Sequence, residues 1–348
     1  MNLLTRDEFR EGVFLRDGYK CVMCGNAAED AHHIIERRLW DDEGYYVENG
    51  ASLCGNCHRQ AEATVITCDQ IRDKAGITRI VIPNTFDRDE KVDKWGNVIL
   101  PNGTRVRGEL FFDVSVQAVL KSGGVLDQFT PYVKFPKIWH FPWSEGFDHK
   151  TDRVFSSDDI EDAFGGAKIV VSEKLDGEGS SVYRNYYHAR SLDGRNHESR
   201  SWIKATASSI SQEIPDGWRV CGENLFAKHS ILYDDLPSYF FVFAIYNEVN
   251  ECLDWDETMM WCKLLGLETV PVLYDGKYDE TKVRACFTGK SVFGTSAQEG
   301  YVMRLREKIP WSRHKKSFAK CVRKDHVQTS HNWMNQKVVP NKLRNEQL

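Results

Sequence analysis

Four cysteines in two closely spaced pairs have the residue type and spacing of a metal site. The pairs are Cys21-Val-Met-Cys24 and Cys54-Gly-Asn-Cys57, with 29 residues between Cys24 and Cys54. Each pair supplies two thiolates from one tight turn, and two such pairs suit the tetrahedral geometry that Zn²⁺ takes with four sulfurs. Because four thiolates leave no open position for a substrate, we predict a structural zinc ion held by Cys21, Cys24, Cys54 and Cys57.

Histidines and an asparagine accompany the cysteine pairs. His32 and His33 lie between the pairs, followed by Asn49, and His58 comes directly after the second pair. This order resembles the HNH nucleases, whose ββα-metal fold places these side chains around one divalent cation. The resemblance implies that His33 is the general base for water, that His32 and His58 hold the metal, and that Asn49 fixes the ββ loop or the base. Glu62 stands where a further histidine is often found, and a carboxylate can still bind a hard cation.

The N-terminal module therefore has three interpretations. It is a metal-dependent nuclease, a nucleic-acid clamp that brings broken ends together, or a zinc-stapled domain without catalysis. The residues alone leave these three open, because zinc modules often persist as binding domains.

Lys174 is the second candidate for chemistry. The segment Glu173-Lys174-Leu175-Asp176-Gly177 contains KxDG, the nucleophile motif of covalent nucleotidyltransferases. Alone this motif is weak evidence, because a strand that ends in an Asp-Gly turn, next to a solvated lysine without a catalytic role, has the same sequence pattern. Further segments follow in the order that this chemistry requires: His188-Ala189-Arg190-Ser191, Cys221-Gly222-Glu223-Asn224, Phe240–Tyr246, Glu299-Gly300-Tyr301-Val302-Met303-Arg304 and the basic segment 315–324.

From about Tyr132 to Leu343 the chain resembles the ATP-dependent RNA ligases of phages and bacteria, members of the covalent nucleotidyltransferase superfamily. Lys134-Phe135-Pro136 and the stretches 140–144, 220–231 and 326–333 also carry this resemblance. It implies that Lys174 attacks the α-phosphate of ATP and forms lysyl-AMP. AMP then passes to an RNA 5′-phosphate, and a 3′-hydroxyl attacks that activated end. An amine suits the first step once it is deprotonated, and neighbouring cations or metal lower the pKa of a buried ammonium.

The resemblance also assigns roles to single residues. Arg190 would meet the phosphate or the incoming RNA end, Glu299 would organise hydrated Mg²⁺ or Mn²⁺, and Lys320 would neutralise the α-phosphate. Asp176 would act in the later sealing steps. The predicted catalytic residues are thus Lys174, Asp176, Arg190, Glu299 and Lys320.

A further group would bind the nucleotide. Glu173 would meet the adenine edge, Glu223 the ribose hydroxyl, and Phe243 would stack on the base, although an aromatic in an apolar run is usually core. The complete predicted nucleotide-binding set is Glu173, Leu175, Gly177, Glu223, Phe243 and Lys316. Relatives carry a Lys-x-Lys pair where this chain has Phe318 and Lys320, so the second cation is left open among Lys316, Arg323 and Lys324.

Composition limits the class of protein. The 348 residues carry 46 Lys and Arg against 51 Asp and Glu, a net charge of −5, so nucleic-acid binding must use local basic patches. The absence of a long apolar run and of a leader-like start predicts a soluble, cytoplasmic protein, in the host cytoplasm if a phage encodes it, with no membrane partner. Cysteine pairs of this kind favour metal binding in a reducing compartment over disulfides.

The elements that position these residues predict an α+β protein. We expect an HNH-like ββα zinc domain over 1–68, a connector over 69–128 that packs on it, and over 129–348 an ATP-grasp-like nucleotidyltransferase domain of antiparallel sheets with flanking helices. Thr5 and Glu8 predict a capping box at a first helix. Apolar runs predict strands that include 79–82, 180–187 and 268–274.

DNA ligases and capping enzymes share the adenylating domain but normally continue into an OB-fold. Only 28 residues follow Lys320, which favours an RNA ligase and makes a capping enzyme the poorer interpretation. The expected partners are RNA 5′-phosphate and 3′-hydroxyl ends, with nicked duplex, DNA or mixed nicks left open, and no protein partner is required. The main alternative from another class is an HNH endonuclease with a nucleotide-binding C-terminal half.

Overall fold

The computed structural model describes residues 3–86, 88–101, 103–148, 152–190, 192, 197–324 and 337–344. The chain divides into two compact units, Met1–Val133 and Lys134–Leu348. The predicted boundaries at residues 68 and 128 stay predictions, and the family-like stretch 326–333 lies outside the described residues. The described part contains no helix with the length and apolar composition that a membrane crossing requires.

The first unit begins with the predicted capped helix. The Thr5 side chain accepts a hydrogen bond from the Glu8 amide, and the Glu8 carboxylate accepts one from the Thr5 amide. The elements of this unit are α1 (Arg6–Arg16), β1 (Asp30–His33), β2 (Gly50–Leu53), α2 (Gly55–Glu62), α3 (Cys68–Lys74), β3 (Lys91–Val92), β4 (Val98–Ile99), β5 (Arg105–Val106) and α4 (Val114–Ser122), with 3-10 helices at Arg37–Leu39, Val47–Asn49 and Leu126–Gln128.

A two-stranded hairpin followed by a helix forms the centre of the first unit. β1 and β2 pair antiparallel, with His32 opposite Ala51, and α2 begins two residues after β2 ends. The predicted ββα arrangement is therefore confirmed. Apolar residues and three of the paired cysteines pack into one core around it. The segment after α3 adds a three-stranded meander, β3-β4-β5, and helix α4.

The second unit is mostly sheet. Its elements are β6 (Trp139–His140), α5 (Ser157–Phe164), β7 (Lys168–Lys174), β8 (Glu178–Tyr183), β9 (Tyr186–Ala189), α6 (Ser201–Ile210), β10 (Arg219–Asn224), β11 (Phe240–Tyr246), α7 (Trp255–Leu265), β12 (Glu268–Thr269), β13 (Val272–Lys277), α8 (Glu280–Ala285), β14 (Gly300–Leu305) and β15 (Phe318–Val322), with 3-10 helices at Glu198–Arg200, Ser211–Glu213 and Trp311–Lys316.

Two five-stranded sheets organise this unit. One has the order β12-β11-β10-β8-β9 and the other β13-β7-β14-β15-β6, and pairing is antiparallel except at β11–β12 and β15–β6. The α+β class with antiparallel sheets is confirmed. The chain leaves β7 at Lys174 and enters the other sheet at Glu178, so the KxDG segment joins the two sheets.

Three predicted strands are wrong. Residues 79–82 form no strand, although Ile80 and Ile82 are apolar. The run 180–187 turns at residues 184–185 and becomes the hairpin β8–β9. The run 268–274 is broken before Val272, where Pro271 lacks the amide that a ladder needs, and its halves belong to different sheets.

Candidate functional site

Lys174 and Glu299 form the centre of the second unit's site. Lys174 is the last residue of β7, and its register partner Gly300 brings Glu299 alongside it. The Lys174 Nζ atom lies 2.7 Å from both Glu299 carboxylate oxygens. Gly300 also packs closely against β15, because a Cβ atom there would lie 1.9 Å from the Cys321 carbonyl oxygen. Two predicted catalytic residues therefore make direct contact.

Charge pairing decides the protonation state of Lys174. Burial alone would lower the pKa of its amine, but the nearby carboxylates of Glu299 and Glu223 outweigh that effect and raise it. Burial raises the pKa of Glu299, with Lys174 acting in the opposite direction. The lysine is thus held as an ammonium ion, and it needs to lose this proton before it can act as a nucleophile.

Lys320 lies on the same face of its sheet as Lys174. It pairs with Val302, which pairs in turn with Ser172, two residues before Lys174 and therefore on the same side. Burial, and next the charge of Lys174, lower the pKa of Lys320 to about 8. Arg190, exposed just after β9, also lowers this pKa. The site thus combines Lys174 and Lys320 with a buried carboxylate, and the charge of Arg190 acts on Lys320.

Glu173 is buried and has one carboxylate oxygen available. Its Oε2 atom accepts a hydrogen bond from the Val292 amide at 2.9 Å. Its Oε1 atom is buried without a hydrogen-bond partner among the residues that the structure describes. Burial also raises the pKa of this carboxyl. A buried acceptor of this kind suits a ligand N–H donor.

Glu223 faces the same region from the other sheet. It lies on β10 opposite Gly179 of β8 and Phe241 of β11. Burial raises the pKa of Glu223 to about 8, with the charge of Lys174 opposing that rise. Glu299 and Glu223, the two carboxylates that act most strongly on the Lys174 pKa, are therefore supplied by different sheets, which the KxDG segment connects.

Asp176 makes contacts that the sequence did not predict. Its Oδ2 atom accepts hydrogen bonds of 2.7 Å from the Ser230 amide, the Ser230 hydroxyl and the Ile231 amide. The Asp176 amide donates to the buried Tyr233 hydroxyl at 3.0 Å. Gly177 packs closely, since a Cβ atom there would lie 2.5 Å from the Asn224 carbonyl oxygen. Ser230 and Tyr233 were missed because no local motif marks residues more than 50 positions away.

The other nucleotide-binding candidates differ in placement. The Leu175 side chain packs in the hydrophobic core, so only its backbone is available to a ligand. Phe243 is half-buried and packs edge to face on Phe135 at 4.9 Å between ring centroids. Lys316 is exposed, and its Nζ atom lies 3.8 Å from Asp159. The Arg323 amide donates to the Glu299 carbonyl oxygen at 3.0 Å.

In the first unit the four paired cysteines converge. The sulfur atoms of Cys21, Cys24, Cys54 and Cys57 all lie within 4.8 Å of one another. Cys24 is exposed and the other three are buried. This donor set and spacing fit a tetrahedral thiolate site.

A second group of possible metal donors lies in the same unit. β1 supplies His32, while α2 supplies His58 and Glu62, which are one helical turn apart and share a face. One donor atom from each side chain lies within 4.8 Å of the others. The buried His32 Nδ1 atom lacks a hydrogen bond within the described chain, although the Glu62 Oε1 atom is 3.3 Å away. An imidazole nitrogen without a hydrogen bond beside a carboxylate fits a divalent cation.

His33 and Asn49 flank these donors. The His33 ring stacks on Phe9 at 4.4 Å and is half-buried. Burial, followed by the charge of Lys94, lowers the pKa of His33 to about 4. The buried Asn49 side chain donates to the carbonyl oxygens of Ile35 and Gly44 and accepts from the Ile35 amide. Asn49 therefore holds the loop between β1 and β2.

Lys94 is a residue at this group that the sequence did not single out. Its Nζ atom lies 3.1 Å from Glu62 Oε1, and the side chain is 4% exposed. It stands in a turn-rich stretch, where a lysine normally indicates a solvated surface.

Comparisons with known proteins find similarities to RNA ligases. A family model described as RNA ligase matches residues 167–322. No curated protein shows a significant match. A solved mutant RNA ligase of Naegleria gruberi with ATP and Mn is 19% identical, with 48% of this chain and 52% of that chain covered and a TM-score of 0.34. An apo mutant of that ligase is 20% identical, with 55% of this chain and 57% of that chain covered and a TM-score of 0.38.

An archaeal ATP-dependent RNA ligase is 18% identical, with 55% of this chain and 48% of that chain covered and a TM-score of 0.37. The chain thus spans about half the length of the solved ligases it matches. The family model includes the KxDG lysine and extends through β15, the strand that carries Lys320. Residues 167–322 of this chain, less than half of its length, are therefore similar to the RNA ligase family.

Proposed function

We propose that this protein is an ATP-dependent RNA ligase that joins 5′-phosphate and 3′-hydroxyl ends through lysyl-AMP. The contact between Lys174 and Glu299, beside the cationic Lys320, is the observation that carries the proposal. The match to the RNA ligase family over residues 167–322 supports it.

The site residues suit successive displacements at phosphorus. In the first, the Lys174 ammonium releases a proton to solvent, and the neutral amine forms a bond to the α-phosphorus of ATP while the bond to the pyrophosphate oxygen breaks and pyrophosphate leaves. Lys320 and Arg190 would stabilise the negative charge of the phosphate oxygens. The unpaired Glu173 Oε1 atom would accept a hydrogen bond from the adenine amino group. Glu223 would accept one from the ribose.

A divalent ion also fits this site. The carboxylates of Glu299 and Glu223 raise the Lys174 pKa, and burial raises their own pKa values. A divalent cation beside them would favour their ionised forms. Mg²⁺ or Mn²⁺ would neutralise phosphate charge when bound. Glu299 would then share its charge with that ion, which would weaken its hold on the Lys174 proton.

Labelling with ATP tests the first step. We expect protein incubated with α-³²P-ATP and Mg²⁺ to retain label on denaturing electrophoresis, and mass spectrometry to place AMP on Lys174. Lys174→Ala removes the amine, so the label should be lost. Lys168→Ala is the matched control, because Lys168 is exposed at the start of the same strand. Absence of adenylate on the Lys174 peptide of wild-type protein would contradict the proposal.

A second assay tests the substrate. Wild-type protein should seal 5′-phosphorylated RNA to an RNA 3′-hydroxyl, and pre-adenylylated RNA should bypass the need for ATP. Matched DNA and mixed nicks measure how far sealing extends beyond RNA, since the adenylating residues do not read the sugar. Efficient sealing of DNA with none of RNA would contradict an RNA ligase.

A second candidate function, nucleic-acid cleavage, belongs to the first unit. His32, His58 and Glu62 converge as metal donors, and His33 follows His32 in the hairpin. A divalent ion held by these three side chains would polarise a phosphate or a water molecule. The four cysteines would hold Zn²⁺ as a structural site. This module would process or recognise the ends that the ligase joins.

Cleavage assays with two variants separate nuclease from clamp. A nuclease should nick nucleic acid with Mn²⁺ or Mg²⁺, lose that activity in His33→Ala, and keep it in Lys174→Ala. A clamp should bind nucleic acid without cutting it, and His33→Ala should leave binding intact. Cleavage that persists in His33→Ala would contradict the role assigned to that histidine.

A further inference from the structure

The turn over residues 93–97, between β3 and β4, is built around one carboxylate. The Asp93 Oδ1 atom accepts hydrogen bonds from the amides of Trp95 and Asn97 and from the Asn97 side chain. The buried Arg105 pairs with Asp93 at 3.0 Å. This turn lies outside the hairpin and helix that supply His32, His58 and Glu62.

The 93–97 turn is joined to both sides of that donor group. The Lys94 carbonyl accepts a 2.9 Å hydrogen bond from the Glu36 amide, and Lys94 Nζ donates to the His33 carbonyl at 2.9 Å. On the helix side, the Trp95 indole donates to the Glu62 carbonyl at 2.7 Å. The turn therefore fixes the position of the Lys94 ammonium group.

That ammonium group shares an oxygen with the donor group. The Glu62 Oε1 atom lies 3.1 Å from Lys94 Nζ, 3.3 Å from His32 Nδ1 and 3.2 Å from His58 Nε2. Glu36 is the second carboxylate on Lys94, at 3.4 Å, and it also pairs with Arg38. A cation that binds Glu62 with the two histidines would therefore share the carboxylate with Lys94.

We propose that Lys94 is a positioning residue that sets the metal affinity of the His32–His58–Glu62 site. The proposal rests on the metal site proposed above for the first unit. A fixed positive charge weakens divalent-cation binding in two ways, because it repels the ion and withdraws negative charge from Glu62. Since Lys94 is buried, solvent screens this charge weakly. The meander thus controls a metal site formed by other elements.

Manganese binding to full-length, zinc-loaded protein tests the proposal without using catalysis. Isothermal titration calorimetry and Mn²⁺ electron paramagnetic resonance would be run without nucleotide on wild type, Lys94→Met and Lys94→Gln. We expect both variants to bind Mn²⁺ about tenfold more tightly than wild type, within the range that outer-sphere partners have on metal sites. Lys91→Met, which removes an exposed lysine from the same meander, should leave the affinity unchanged.

His58→Ala in the Lys94→Gln background identifies the site, because the added affinity should disappear with this ligand. Unchanged or weaker Mn²⁺ binding in Lys94→Gln would overturn the proposal, as would tighter binding that survives His58→Ala. If Lys94→Met fails to fold, Lys94→Gln alone decides, because it keeps a donor for the His33 carbonyl. Absence of Mn²⁺ binding in wild type and both variants would overturn the proposed metal site as well, while ATP labelling of Lys174 reports separately on the ligase.

Discussion

Single residues of the second unit are suited to charge stabilisation at a cost in protein stability. Lys320 is the clearest case, because burial and the charge of Lys174 lower its pKa from an ordinary value of 10.5 to about 8. A lysine whose folded-state pKa is lowered favours unfolding wherever it is protonated in the unfolded chain. An incoming phosphate would neutralise this buried positive charge of Lys320.

Replacing Lys320 with methionine should therefore stabilise the protein while abolishing lysine adenylylation. Below pH 8 the ammonium is charged in both folded and unfolded states, so the full cost is present. As pH rises from 8 towards 10.5 the folded state loses its proton first, and the wild type regains stability. The stability difference, measured by urea unfolding at pH 7 and pH 9.5, should shrink at the higher pH. A stability difference between Lys320→Met and wild type that does not vary with pH would contradict the lowered pKa of Lys320. Lys168→Met is the control, because Lys168 is exposed.

At the scale of elements, the segment between β7 and β8 positions Lys174. It joins two sheets within a few residues, and its backbone passes directly against β10 at Gly177. Little space is available for a side chain there, so glycine is needed at position 177 for a steric reason. The KxDG motif alone does not reveal this reason.

Gly177→Ala should reduce both stability and adenylylation. Its Cβ atom would lie 2.5 Å from the Asn224 carbonyl oxygen, and overpacking of this kind costs about 1–3 kcal/mol. Gly179→Ala is a matched control, because the nearest atom to its Cβ is Glu223 Oε2 at 3.9 Å. Chemical denaturation and ATP labelling of both variants check this. Equal effects of the two substitutions would show that close packing is not the reason for Gly177.

Sequence patterns predicted the elements with strong local signals. The capping box at Thr5 and Glu8 and the ββα order both appear as predicted. The run 268–274 failed because the sheet to which each half belongs depends on distant partners. Lys94 was missed for a related reason, since its partners His33 and Glu62 are brought near only by folding. The proposed roles of the site residues stay predictions.

At the scale of the whole molecule, each unit has its own hydrophobic core. The first contains the cluster around the paired cysteines, and the second contains clusters built on its two sheets. A small domain stabilised by a bound metal loses that contribution when the metal is removed. Zinc would therefore matter most for the first unit.

Removing zinc should loosen residues 1–133 selectively. After treatment with a zinc chelator, hydrogen exchange should accelerate in β1, β2 and α2, while the strands that carry Lys174 and Glu299 keep their protection. ATP labelling of Lys174 should continue. The same treatment of Cys54→Ala should produce no further change. Loss of protection in β7 and β14 together with β1 would contradict independent stability of the two units.

The hydrogen bonds at Asp176 affect how substitutions in this protein should be interpreted. Asp176 lies two residues after Lys174, and one oxygen of its carboxylate anchors the backbone at residues 230–231. Shortening this side chain to alanine therefore removes these hydrogen bonds as well as a negative charge. A slower sealing rate in Asp176→Ala would then combine both consequences. Ser230→Ala removes one of these hydrogen bonds and leaves the carboxylate in place. Comparing the two variants therefore separates the structural role of Asp176 from its chemical role.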